Sequence, residues 1–234
     1  MAKSTKPAGS RGREAGRRSQ ADRSAATRAR ILAAAVRCVD ELGFARATFQ
    51  RIARRAGVTV GAVQHHFAAK EDVLRAVLED SFEHLSRCFD GVCVEGADLG
   101  ERVSIFIDRA WLHCGYPPFR STLEILMTTR GDDGGAHWTD TPLLESTRRV
   151  QRLWTSVFSE VEIPAVRHLE VLRFAFAALA GIAMTVRLEQ SQAGAARQLA
   201  LLKAALLALL EQAEAESRSP RHRSRSAVQR NGSP

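Results

Sequence analysis

The sequence predicts an all-helical fold. Apolar residues recur at helical spacing through most of residues 24–216, no segment sustains a period-two alternation, and glycines and prolines stand at the ends of the periodic stretches. A first helix is expected over residues 24–42, where Ile31, Ala35 and Val39 recur four apart with Leu32 and Val36 beside them. Gly43 ends it, and Phe44 is expected to plug a small core below. Thr48 suits the N-cap of a second helix over 49–56, whose inward face is Phe49, Ile52 and Ala53. Gly57 permits positive φ and a sharp turn. Val58 then packs inward, Thr59 caps a third helix, and Val63 with Phe67 closes the core. A fourth helix follows over about 69–89, with Val73, Leu74, Val77 and Leu78 on its apolar side.

After a Gly- and acid-containing stretch at 91–100, helices are expected near 101–114, 118–130, 142–160, 165–190 and 195–216. Pro117, Pro142 and Pro164 each fit a helix start, where a missing N–H costs nothing. The polar, Gly-rich residues 131–140 read as a mobile loop. Residues 174–186 are an uncharged run of 13 between Arg173 and Arg187. A membrane span needs about 20, so this reads as a buried helix with no membrane partner. The last helix carries Leu199, Leu202, Leu206 and Leu209 at heptad-like spacing, widened by Leu201, Leu207 and Leu210. The helix before it supplies Leu169, Leu172, Phe176, Leu179 and Ala183. A pair this apolar needs a partner surface.

Charge has to be located before it is interpreted. The net +8 resolves into +5 over residues 1–23 (seven Lys or Arg, two acids), +5 over 217–234 (five Arg, no acid), +2 over 24–84 and −4 over 85–216. The folded part is therefore polarised, with its positive end at the helical hairpin, which favours polyanion binding at one end. Both tails, 1–23 and 217–234, are poor in apolar residues and read as disordered basic arms, either solubilising or attracting DNA without sequence preference. Cys38, Cys88, Cys93 and Cys114 form no CxxC pair, so they read as reduced thiols, not disulfides or a zinc site. The polar N-terminus has no apolar leader core, and a cytoplasmic bacterial protein, nucleoid-associated when on DNA, is expected. No nucleophile elbow, phosphate loop, metal-ligand set or paired catalytic carboxylates is present, so neither enzyme nor cofactor is expected.

The stretch 48–74 is the informative one. Its outward face is small, polar and cationic, as a helix lying against a nucleic acid groove requires. Thr48, Ile52-Ala53, Ala56-Gly57-Val58-Thr59, Gly61, His66-Phe67 and Lys70-Glu71, in this order and register, resemble the N-terminal domain of TetR-family transcriptional regulators. The resemblance covers residues 24–84, with the helix-turn-helix motif at 47–66. Beyond that only the helical pattern matches. The resemblance implies a second, larger helical domain over 85–216 for effector binding and dimerisation, and a protein that represses from a palindromic operator until a small molecule releases it. An activator or ligand-independent regulator of the same family, or a non-specific nucleoid protein, is the alternative.

Within that frame, Gly61 lets the start of the third helix approach the DNA backbone closely. Thr48 and Thr59 offer hydroxyls and helix N-terminal amides to phosphates. Lys70 reaches a phosphate across the same groove, or is a solvated cation. Base reading falls to Val60, Ala62, Gln64 and His65, since Gln can bond adenine bidentately and Val or Ala can touch a thymine methyl. Two departures matter: relatives often carry Lys or Arg at position 60 and Tyr at 64, where this chain has Val60 and Gln64. His66 reads as structural. Gln50 and Arg51 are expected at the DNA, whereas Arg46, Arg54 and Arg55 are either phosphate contacts or solvated. In the second domain Trp111, His113, Tyr116, Met127, Trp138, Trp154 and Phe158 either fill core or line a ligand pocket, and Arg109 and Arg130 either pair with a ligand or with nearby acids. The resemblance also implies a homodimer through the last two helices, using Leu169, Leu172, Phe176, Leu199, Leu202, Leu206 and Leu209.

Overall fold

The computed structural model describes residues 10–129, 140–189 and 193–218. The described residues form helices α1 (Ser10–Leu42), α2 (Phe49–Ala56), α3 (Val60–His66), α4 (Lys70–Cys88), α5 (Leu99–Cys114), α6 (Pro117–Thr129), α7 (Asp140–Phe158), α8 (Ala165–Glu189) and α9 (Ala193–Arg218), and no strand. From α2 onward the bounds fall within a few residues of those expected. The exception is α1, which begins at Ser10, well before residue 24. Residues 10–23 were expected without structure. Five of these fourteen residues are Arg, which favours helix without needing an apolar face. Residues 1–9, the tail beyond Arg218, Trp138, Arg130 and the loop expected at 131–139 lie outside the described residues.

The chain divides into two compact units, the first of Met1–Glu79 with Arg120–Thr139, the second of Asp80–Phe119 with Asp140–Pro234. The divisions fall inside α4 and inside α6. The first unit thus takes in all of α6 from Arg120 onward, which the sequence places in the larger region.

In the first unit, Ile31, Ala34, Ala35, Cys38 and Val39 make a continuous buried stripe along α1. Ile52 and Ala53 of α2, Val63 of α3, Phe67, and Val73, Leu74, Val77 and Leu78 of α4 are buried with it. Phe44 departs from expectation. It is half-buried, and its ring lies under the Lys70 ammonium instead of plugging the core. Phe49 and Val58 are likewise only half-buried.

The second unit is organised around Phe106 of α5, whose ring meets those of Phe89, Trp154, Phe158 and Phe176 at centroid distances of 5.0–6.2 Å. Asp98 opens α5 with a reciprocal capping box to Glu101. α8 and α9 pack against each other, and α5 packs against both. Segment Ala165–Val186 of α8 has mean hydropathy 1.8 and is long and apolar enough to cross a membrane by length and composition, yet only 28% of its most apolar stretch is buried. It is therefore not the wholly buried helix expected from the sequence. The leucine stripes divide in the same way. Leu172, Leu199, Leu202 and Leu206 are buried within the chain, whereas Val166, Phe174, Met184, Leu201 and Leu209 face outward.

His113 is 3% exposed. Its Nδ1 is 3.4 Å from Nδ1 of His84, within hydrogen-bond reach. Burial, and secondarily the neighbouring His84, push the His113 pKa down to about 4. The unfolded chain takes up a proton near pH 6.5 that the folded chain refuses until about pH 4. Stability from this residue is therefore full above about pH 6.5 and declines as the pH falls toward 4, by about 2 kcal/mol between pH 7 and 5. Urea unfolding at those two pH values should show that loss in the wild type and most of it abolished in His113→Gln.

Candidate functional site

The site assembles from two helix starts and one turn. Thr48 has extended backbone (φ −90°, ψ 159°) and its side-chain oxygen accepts from Arg51 N at 3.4 Å. Thr59 repeats the geometry (φ −77°, ψ 157°), accepting from Ala62 N at 3.1 Å. In each cap the hydroxyl acts as acceptor, which leaves its O–H to donate outward. Gly57 lies in the left-handed region (φ +64°) and gives the sharp turn between α2 and α3. That turn is reinforced from α1: Arg30 Nη2 donates to Ala56 O at 2.7 Å and Gly57 O at 3.0 Å, satisfying the C-terminal carbonyls of α2. Along α3, Val63 is buried, Val60 and Ala62 are half-buried, and Gly61, Gln64 and His65 are exposed. Gln50 and Arg51 are exposed on α2. His66 is half-buried beside Phe67, as a structural role requires.

The cations separate into engaged and available. Arg55 is ion-paired with Glu41. Arg46 Nε donates to Leu42 O at 2.8 Å, and Arg28 lies 5.3 Å from the Phe67 ring centroid. Arg51 makes only a 3.4 Å bond to Arg46 O, and Arg54 is exposed with no partner among the described residues. Of the two arginines at the end of α2, Arg55 is thus engaged within the protein and Arg54 is not. Lys70 is the clearest departure. Its ammonium donates to Phe44 O at 2.7 Å and lies 4.3 Å from the Phe44 ring centroid, and desolvation lowers its pKa. It is turned toward the protein, not toward a phosphate.

The aromatic candidates of the second unit form two separate groups. Trp154 and Phe158 lie with ring centroids 4.1 Å apart, tilted by 33°, and line a hollow of about 390 Å³ between α7 and α8, with Thr155, His168 and Leu169 among its walls. His168 was not anticipated. Its Nδ1 accepts from Trp154 Nε1 at 3.0 Å and its Nε2 donates to Val161 O at 3.2 Å, so the ring is held at both nitrogens. His113 and Tyr116 belong to the other group: both contact His84, and Tyr116 donates to Asp80 Oδ2 at 2.7 Å. Trp111 is half-buried on α5. Met127 is exposed and belongs to the first unit. Among the described residues no cluster of His, Cys, Asp and Glu could hold a metal ion.

Comparison with known proteins bears on the helix-turn-helix. Residues 31–77 match the family model described as bacterial regulatory proteins, tetR family. This segment of the chain is similar to the TetR family. It is 39% identical over 59 residues to the regulator BetI 2 of Chromohalobacter salexigens, a match covering 25% of this chain and 28% of that one. It is 41% identical over 85 residues to SrpR of Pseudomonas putida, covering 36% and 34%. The chain thus spans about a third or less of these relatives' lengths. Solved structures extend the likeness to the whole fold. A TetR-family regulator from Marinobacter aquaeolei gives a TM-score of 0.61 at 20% identity, covering 81% of this chain and 97% of that one. A gamma-butyrolactone receptor gives 0.54 at 22%, covering 83% and 98%.

Arg30 is the residue of this site that the sequence conceals most. It looks like one more surface arginine on α1, and only the return of α2 shows what it caps. Gly61 is informative for the opposite reason. A Cβ added there would meet nothing nearer than Thr59 Oγ1 at 3.9 Å, so packing within the protein does not require glycine. A helical Gly→Ala change is ordinarily stabilising, by about 0.5–1 kcal/mol. Gly61→Ala should therefore melt at or above the wild-type temperature while binding DNA more weakly, a divergence that thermal unfolding and a polarisation titration together would reveal.

Proposed function

We propose that this protein is a dimeric, sequence-specific DNA-binding regulator that represses transcription from a palindromic operator and is released by a small molecule held in its second unit. The observation that carries the DNA reading is the capped α2–turn–α3 unit. It presents Gln64, His65 and the bare backbone of Gly61 outward over a fully buried Val63. The two cap hydroxyls, Arg51 and Arg54 supply phosphate contacts around it, and Gln50 flanks them. With Val60 and Gln64 where relatives often have a cation and a tyrosine, the head relies on few phosphate clamps and reads bases through Gln64.

One recognition helix reads only a few base pairs, so two heads about one helical turn apart, ~34 Å, are needed for a specific site. The outward apolar residues of α8 and α9 supply the partner surface. Phe174 and Leu209 border one shallow groove with Val171, and Leu201 is exposed on the same helix as Leu209. A second copy of the chain is the occupant this reading commits to, with Leu169 and Phe176, both half-buried, at its margin. The hollow beside Trp154 and Phe158 is of a size that suits a small organic ligand. A likeness in fold to the multidrug binding protein EbrR, solved with imidazole (TM-score 0.52, 21% identity, covering 76% of this chain and 93% of that one), supports the same reading. Ligand binding acts by favouring one separation of the two heads over another.

A fluorescence polarisation titration with duplexes from the gene's own upstream region tests the reading, and binding to none of them at low salt would sink it. Gln64→Ala should change which base is preferred at one position per half-site, by about 1–3 kcal/mol. Arg54→Ala should instead weaken every duplex alike and reduce the salt slope by about 0.9. Phe174→Glu combined with Leu209→Glu should sediment as a monomer with wild-type helicity and lose operator binding.

A further inference from the structure

The corner that joins α1 to α2 is gripped from two directions. From one side, Phe44 N–H donates to Glu124 Oε1 of α6 at 3.3 Å. The same carboxylate oxygen lies 3.5 Å from where a Cβ on Gly43 would be. From the other side, Phe44 O accepts from Lys70 Nζ at the start of α4, with the ammonium over the Phe44 ring. Phe44 O also accepts from Ala47 N at 3.2 Å, and Ala47 is fully buried next to Thr48, the cap of α2. Any displacement of Phe44 is therefore passed within four residues to the first phosphate-facing group of the head.

α6 is well anchored for this task. Arg120 makes two hydrogen bonds to Asp40, at 3.0 and 2.8 Å, and Ser121 Oγ donates to Val36 O at 3.2 Å. Residues 120, 121 and 124 share one face of a helix, and all three reach α1 or its corner. Ser121 and Ile125 are fully buried on that side. Lys70 has correspondingly little freedom. To reach a phosphate it would have to leave a short charge-assisted hydrogen bond and a cation–π contact, both partly shielded from water.

Resting on the DNA-binding reading above, we propose that Lys70 and Glu124 are positioning residues for DNA binding: they hold the Phe44 corner from opposite sides, and Lys70 acts through that corner instead of through a phosphate. α6 is on this account a working part of the reading head.

The test uses the full chain and a duplex selected by the wild type from random sequence, with affinity measured across a salt series. Lys70→Met and Glu124→Ala should each weaken binding about tenfold, the loss expected for one charge-assisted hydrogen bond, at a temperature where both variants remain folded by circular dichroism. The salt slope should stay at the wild-type value in both. Glu124→Gln, which keeps an acceptor for Phe44 N–H, should bind nearly as well as the wild type. The double variant should be little worse than either single one, because both act on one corner. A slope reduced by about 0.9 in Lys70→Met would place the ammonium on a phosphate and overturn the inference. Undiminished affinity in Glu124→Ala, or losses that simply multiply, would overturn it as well. A wild type that selects no duplex defeats the DNA-binding reading itself, whereas a wild type that selects one while the variants behave otherwise defeats only this inference.

Discussion

The first unit depends on one buried stripe of α1. Ile31, Ala34, Ala35, Cys38 and Val39 are all essentially inaccessible, and α2 and α3 both pack on this helix. Two consecutive alanines in the stripe keep it narrow, so the neighbouring helices can come close. The same helix then supplies polar fastenings from its flanks: Arg30 to the end of α2, Arg28 to Phe67 beyond α3, Asp40 to Arg120 and the Val36 carbonyl to Ser121. The helix-turn-helix is short, with eight residues in α2 and seven in α3. Helices of that length are unstable alone, and their geometry is borrowed from α1.

What could be read from the sequence follows from how local each cause is. Thr48, Gly57 and Thr59 act on backbone within three residues of themselves, and their caps and turn form as expected. The helical periods from α2 to α9 were visible for the same reason. The start of α1 was not, because its first turns have no apolar face and the pattern read for a helix begins only near Ile31. The fates of Lys70, Arg30 and Glu124 depend on partners 26, 26–27 and 80 residues away in the chain, so their side chains looked free. The leucines of α9 failed for another reason. That helix is apolar around most of its circumference, and only the packing of α5 and α8 against it decides which leucines turn inward.

The electrostatics follow from these fastenings. A formal count credits the head with many cations, yet Arg28, Arg30, Arg46, Arg55, Lys70 and Arg120 are all committed to carbonyls, carboxylates or rings of the protein itself. Their charge contributes to the field around the head, but their donors are largely spent. Field and contact are thus supplied by different residues, and a charge map alone would misassign the interface.

The outward faces of α8 and α9 carry a further consequence. Leu188 at 82% and Leu201 at 71% exposure, with Phe174 and Met184 nearby, are too apolar a surface for a chain meant to stand alone in water. The proposed second copy would cover it, and pairing of that kind ties a folded state to mass action, so that the melting temperature rises with the amount of protein present. On that proposal, gene dosage becomes a physical parameter of the molecule, governing how much of it is folded and paired.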